Sequence, residues 1–249
     1  MAKVLVHGNP ETAAIWRPLI AALEQRGVFD VVTVSPPGFG APIPAGFDAT
    51  PAAYVEWLAG ELRNIGGTID LVGHDWGTGH VLGLAAAHPD LIRSWACDII
   101  GLAHPDYVWH DMAQQWRTPG TGEEVVAGMV AVPAAERAAM FEALAMPADI
   151  AAEVAAAVND DMARCILTLY RAADPEVLVD LGNRLAAADP RRSLALSAEN
   201  DAYISAALNG PVAERMGSQL VTLAGQGHWW MVEDPNPAAD ALADFWSQL

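Results

Sequence analysis

Gly73-His74-Asp75-Trp76-Gly77 sets a carboxylate between two glycines, directly after the mainly apolar run Ile69-Asp70-Leu71-Val72 and directly before a helical stretch. A Gly-x-X-x-Gly turn at such a junction is an elbow that lifts one side chain off a strand end into a cleft, and its usual occupant is serine. A carboxylate in that place does different chemistry. It attacks carbon directly, forms an ester, and depends on water for release. Carbon that carries a leaving group, as in an epoxide or an alkyl halide, suits this route, whereas acyl transfer does not need it. Asp75 is therefore the candidate nucleophile.

An ester intermediate needs a base for its water. His228, in Gly225-Gln226-Gly227-His228-Trp229-Trp230, follows the last strand pattern and is the candidate base. It would deprotonate the water and not the nucleophile, because a carboxylate needs no activation. The acid that orients it should follow the strand pattern Ser193–Ser197. Asp201 is best placed, with Glu199 nearby and Asp98 at the end of the fourth strand as open alternatives. His7-Gly8-Asn9-Pro10 follows the first strand, and such a turn can aim backbone N–H groups at a site. The N–H groups of Asn9 and Trp76 are expected to cradle one oxygen of Asp75. The Trp76 indole could also line the pocket or hold a departing anion, since its ring packs while its N–H donates.

These residues need a frame. Strand and helix patterns alternate, which argues for an α/β fold with a mostly parallel sheet and crossover helices. Strands are expected at Lys3–Val6, Asp30–Ser35, Ile69–Gly73, Leu91–Ile100, Ser193–Ser197 and Ser218–Gly225. Helices are expected at Thr12–Gln25, Pro51–Asn64, Trp76–Ala87 and Pro237–Gln248. From about Pro105 the strand patterns stop. Glu123–Val132, Ala134–Ala145, Ala148–Val158 and Asp160–Ala173 read as helices separated by prolines. The expected organisation is a core of residues 1–103 and 190–249, interrupted by a helical lid over 104–189. The lid leaves the carboxyl edge of the sheet, where open α/β sheets bind ligands, and would exclude water there.

Bulk properties narrow the function classes. The 249 residues include 31 acidic and 13 basic side chains, a formal charge of −18. That argues against nucleic acid, anionic membranes and polyanionic substrates, and fits a small neutral organic substrate with water. No apolar run reaches about eighteen residues, so no transmembrane helix is expected. The N-terminus runs straight into a strand pattern and leaves no room for a signal peptide. Cys97 and Cys165 read as reduced, buried thiols. Together these features suggest a bacterial, cytoplasmic protein. Nothing calls for a cofactor, and His7, His74, His80, His88, His104 and His110 lack metal-ligand spacing. A homodimer is the one assembly left open.

His7-Gly8-Asn9-Pro10, Pro36-Pro37-Gly38-Phe39-Gly40, Gly73-His74-Asp75-Trp76-Gly77, Ala198-Glu199-Asn200-Asp201 and Gly227-His228-Trp229-Trp230 occur in that order. The series resembles the Asp-nucleophile branch of the α/β-hydrolases, which holds the epoxide hydrolases and the haloalkane dehalogenases. The resemblance covers nearly the whole chain and is strongest in the core motifs. It implies Asp75 as nucleophile, His228 as base and Asp201 as acid. Family members usually carry two further strands before the first turn, so a sheet of about six strands is expected here.

The resemblance divides over the leaving group. Tyr170, in Leu169-Tyr170-Arg171, is similar to the second lid tyrosine with which epoxide hydrolases protonate the opened ring. Trp116 stands where the first would be; Tyr107 could substitute, but packing at the lid hinge is the better reading for it. Asn9 instead matches one branch of the dehalogenases, where with Trp76 it would clamp a halide. Epoxide hydrolysis to a diol is the leading reading, because ring opening needs a proton donor and Tyr170 supplies one. Haloalkane dehalogenation is the alternative, and a non-catalytic small-molecule binding protein the third.

Overall fold

Six strands lie side by side in one sheet, every neighbouring pair parallel. The structure, a computed structural model, describes residues 1–188 and 191–249. The expected junction of lid and second core segment at 189–190 falls outside them. The strands are β1 (Ala2–Val6), β2 (Val31–Val34), β3 (Ile69–Gly73), β4 (Ser94–Cys97), β5 (Arg192–Ala198) and β6 (Gln219–Leu223), in the order β2-β1-β3-β4-β5-β6. All of β3 is buried, as a central strand covered on both faces should be. Register sets Val6 beside Gly73 and Gly73 beside Cys97. The next residues, His7, His74 and Asp98, therefore emerge together at the carboxyl edge.

Side chains alternate between two cores. Val4, Val6 and Leu71 face one, Leu5, Val72 and Ala96 the other, the period of two that a strand imposes. Over the first core lie α2 (Pro51–Ile65) and α3 (Trp76–Ala87). Thr50 starts α2 by accepting a hydrogen bond from the Ala53 N–H, and Pro51 fits its first turn. Over the second lie α1 (Arg17–Gln25) and, at the end of the chain, α12 (Asn236–Ser247).

Two expected elements fall furthest short of what the sequence implied. The helix expected over Thr12–Gln25 opens with a separate 3₁₀ turn, Ala13–Trp16, and the α-helix begins only at Arg17. Pro18 explains the break: it lacks an N–H and is tolerated only in a first turn. The fourth strand, expected over Leu91–Ile100, is confined to Ser94–Cys97. Pro89–Leu91 forms a 3₁₀ turn before it, and the Asp98 carboxylate accepts the Ile99 N–H at 2.7 Å and bends the chain away after it.

The insert contains α4 (Asp111–Arg117), α5 (Thr121–Ala131), α6 (Ala134–Glu142), α7 (Ala148–Ala157), α8 (Asp160–Ala172) and α9 (Pro175–Ala187). Neither α4 nor α9 was legible, nor was α10 (Ala206–Met216), which carries the helix breakers Gly210 and Pro211. A short α11 (Trp230–Glu233) precedes α12. α9 packs back on α3 and on the turn Ile100–Ala103, and a Cβ on Gly182 would stand 2.8 Å from that of Ala103. Buried Arg137 ties the lid together. Its guanidinium donates to the carbonyls of Met129, Val130 and Val132 at the end of α5, and of Ala155 and Val158 at the end of α7. Helix C-termini leave such carbonyls unpaired and favour a cation. Both cysteines are free and buried. Among the described residues no helix is long and apolar enough to cross a membrane.

Candidate active site

Asp75 sits between β3 and α3 at φ 50°, a left-handed conformation that costs a non-glycine residue about 1–3 kcal/mol. Its surroundings enforce the turn. A Cβ on Gly77 would lie 2.1 Å from the Val6 carbonyl oxygen, and one on Gly73 2.6 Å from that of Gly77. The two glycines of the motif are thus needed for close backbone approach. Gly8 is a third, since its Cβ would meet Asp75 Oδ1 at 2.0 Å. The backbone N–H of Asn9 donates to Asp75 Oδ1 at 2.9 Å. The Trp76 N–H, expected to share that oxygen, makes no hydrogen bond to it among the described residues. The carboxylate leans toward the turn after β1 and is held from that side.

His228 and Asp201, far apart in sequence, meet here. His228 Nδ1 donates to Asp201 Oδ2 at 2.8 Å, while Asp201 Oδ1 accepts the N–H groups of Tyr203 (2.8 Å) and Ile204 (3.2 Å). With Nδ1 committed, Nε2 is the free nitrogen, 3.7 Å from Asp75 Oδ2. That gap is too long for a hydrogen bond. It leaves Nε2 open to a water. Burial lowers the His228 pKa, but the Asp201 charge and hydrogen bond outweigh it, and the net shift is upward. Burial pushes Asp75 up to about 6, against the pull of His228.

The other two candidate acids are engaged elsewhere. Glu199 is exposed and accepts the Gly225 N–H at 2.7 Å. Asp98 lies buried beneath the elbow, accepting from His74 Nδ1, from the Trp230 indole at 2.9 Å, from Thr78 at 3.0 Å and from the Asp75 N–H at 3.2 Å. His74 Nε2 faces Glu11 at 3.1 Å, and Glu11 also accepts from the Trp229 indole at 2.6 Å. Both nitrogens of His74 thus meet carboxylates, which only an imidazolium satisfies. Burial lowers its pKa, but Glu11 and Asp98 together hold it well above the ordinary value. Burial raises both partners, yet His74 draws each down to about 2. Glu11, His74 and His228 bring ligand atoms within 4.8 Å of one another. The spacing of the histidines gave no sign of this grouping. Because both His74 nitrogens are taken, it reads as an ion network and not as a coordination sphere.

Two cavities adjoin Asp75. The larger, about 410 Å³, is lined by Asn9, Trp116, Tyr170, His228 and apolar lid residues. The smaller, about 20 Å³, lies among Trp76, Tyr107, Trp109 and Tyr170. That is room for about one water. Tyr170 borders both. Its ring stands edge-on to Trp76 at 5.3 Å and is tilted against Trp109 and Trp116 at 5.1 and 4.8 Å. Burial raises its pKa well above the ordinary phenol value, and Asp75 adds to the shift, so it stays protonated. The side-chain amide of Asn9 and the indole N–H groups of Trp109 and Trp116 are buried without a partner among the described residues. Tyr107 borders the smaller cavity and Tyr203 packs edge-on to His228 at 4.6 Å.

The pattern of the Alpha/beta hydrolase family matches residues 4–241. The chain belongs to that family. No curated protein matches this α/β-hydrolase by sequence. Among solved structures, a loop variant of the haloalkane dehalogenase DbeA from Bradyrhizobium elkanii is 20% identical with a TM-score of 0.74, over 99% of this chain and 89% of that one. A putative ancestral haloalkane dehalogenase is 21% identical with a TM-score of 0.76, over 99% and 91%. A thermophilic esterase from Thermogutta terrifontis is 18% identical with a TM-score of 0.74, over 100% and 90%. At such identities the likeness is one of fold.

Several site residues of this α/β-hydrolase escaped the sequence reading. Trp109, His110 and Tyr203 border the cavities beside Asp75. The first two lie in the stretch after Ala103, which has neither helical nor strand periodicity. Glu11 follows the His7-Gly8-Asn9-Pro10 turn and was not singled out. The available signal was its place directly after a motif already assigned to the site.

Proposed function

We propose that this α/β-hydrolase opens a small neutral electrophile through a covalent ester on Asp75, most simply an epoxide to a diol. The observation that carries the reading is the divided carboxylate: Oδ1 is bound by the Asn9 N–H at 2.9 Å, while Oδ2 faces His228 at 3.7 Å. Oδ2 attacks a substrate carbon, and the C–O bond of the ring breaks. The departing oxygen takes a proton from Tyr170, whose hydroxyl is kept protonated beside the nucleophile. Water then attacks the ester carbonyl as His228 Nε2 accepts its proton and Asp201 steadies the imidazolium. The negative charge that gathers on Oδ1 meets the Asn9 N–H. Collapse breaks the bond between the former carbonyl carbon and Oδ2. The alcohol leaves with Oδ2, and the His228 proton completes it; the proton that water leaves on the new Asp75 carboxyl then returns to the Tyr170 phenolate, so that both groups regain their starting states.

A second reading, halide release from an alkyl halide, has one specific observation in its favour. The Asn9 amide is buried, unpartnered and part of the cavity wall beside Asp75. An anion would satisfy its N–H. A side-by-side assay separates the two: diol from 1,2-epoxyalkanes against bromide from 1-bromoalkanes. His228→Gln should trap the ester in either case, seen as added substrate mass on the Asp75 peptide. Tight binding with neither product nor adduct would favour a non-catalytic binding protein.

A further inference from the structure

The larger cavity is built for more than the reacting carbon. Its 410 Å³ is well over twice the ~150 Å³ apolar cavity that accommodates a benzene molecule. Asp75, Asn9 and His228 lie in its wall, and away from them the wall is carried by lid residues such as Met129, Val132, Phe141 and Val158. The cavity does not stop inside the lid. Met112, Met140 and Leu144 also line it, yet they are 46%, 62% and 47% exposed. An apolar path therefore leads from the nucleophile to an apolar rim at the surface.

Polar recognition along this path is scarce. Apart from Asp75 and the histidines, Arg137 is the charged residue in the wall among the described residues. Its hydrogen bonds all end on the backbone carbonyls of α5 and α7. It has no donor to spare for a carboxylate or phosphate. The net charge of −18 further opposes an anion. Methionine is suited to such a wall, because its unbranched thioether adapts to different shapes.

We infer that the substrate carries a long, uncharged alkyl chain that runs from Asp75 through the lid to the rim at Met140 and Leu144. This deepens the proposed hydrolysis but depends on it only for what happens to the carbon at Asp75. The chain itself can be tested with unreactive 1-alkanols, from 1-butanol to 1-dodecanol, by calorimetry on the wild-type protein. Each methylene buried should tighten Kd about fourfold, until the chain passes the rim and the gain stops. A Kd that does not change with length overturns the inference.

Leu144→Asp and Met140→Asp alter exposed positions, so thermal unfolding can verify that each variant is folded. Either should lower the ratio of 1-decanol to 1-butanol affinity tenfold or more. An unchanged ratio means that no chain reaches the rim, and the inference fails. The same length series of 1,2-epoxyalkanes and 1-bromoalkanes separates this claim from the chemistry. No turnover of any member, with the alkanol trend intact, sinks the Asp75 ester and leaves the chain pocket standing. Turnover with no length preference does the reverse.

Discussion

A carboxylate that attacks carbon must be ionised, and Asp75 occupies a place where ionisation is opposed. Burial raises it to about 6, with His228 pulling the other way. His228 must be neutral to take a proton from water, and Asp201 raises its pKa. Both requirements fail in acid. We expect kcat/KM to fall as pH drops through about 6, as Asp75 becomes protonated. Ester hydrolysis should slow as pH falls through the raised pKa of His228. Rapid-quench experiments at decreasing pH should therefore find more ester per turnover, and a pH-independent rate between pH 5 and 8 would contradict this assignment. Tyr170→Phe should lower epoxide hydrolysis by about 10²- to 10⁴-fold, the usual worth of a general acid. Bromide release unaffected by that change, with loss on Asn9→Ala, would favour the halide reading. The elbow that carries Asp75 was legible because it is local: strand, two obligatory glycines and helix lie within a few residues. The Glu11–His74–Asp98 network was not, because its contacts span 63 and 24 residues and depend on where β1, β3 and β4 end.

The elements divide into a sheet whose carboxyl edge aims the core residues and an insert of helices that supplies much of the larger cavity's wall. Buried apolar residues such as Val126, Ile150 and Val154 pack the insert helices, and Arg137 adds hydrogen bonds to two helix ends. Arg137→Leu removes every one of those donors. It should cost about 1–3 kcal/mol for the buried carbonyls left unpaired. Hydrogen–deuterium exchange should rise across α5, α6 and α7 while β1, β3 and β4 stay protected. Equal loosening of the sheet would show that Arg137 is not a lid device. At this scale the sequence separated sheet strands from lid helices through the prolines at 119, 133 and 147 and the change from alternating to helical spacing. It did not reveal that α9 returns to the core. That depends on the contact between Gly182 and Ala103, to which local propensity is blind.

The whole molecule couples its stability to the charges beneath the site. Glu11 and Asp98 are held down to about 2 chiefly by His74, so their contribution is complete above pH 4–5 and is lost as pH falls toward 2. His74 is raised, so its contribution is complete below about 6.5 and is lost only as pH climbs through its elevated folded-state value. Tm should therefore be highest between about pH 5 and 7 and drop steeply below 4. His74→Gln leaves two buried carboxylates without their cation, a change that typically costs about 3–5 kcal/mol near neutral pH. Its deficit should shrink in acid, where the carboxylates become neutral. A deficit independent of pH, read from thermal unfolding of both proteins, would mean that the network is not ionic.

The central claim is that substrate carbon becomes bonded to Asp75 and that water then attacks the carboxyl carbon. A single turnover of 1,2-epoxydecane by excess enzyme in heavy-oxygen water, followed by mass analysis of the Asp75 peptide and the diol, tests it directly. The account predicts one heavy oxygen in the Asp75 side chain and none in the diol. Label in the diol alone, with the protein unmarked, would contradict it, because water would then have attacked the substrate itself.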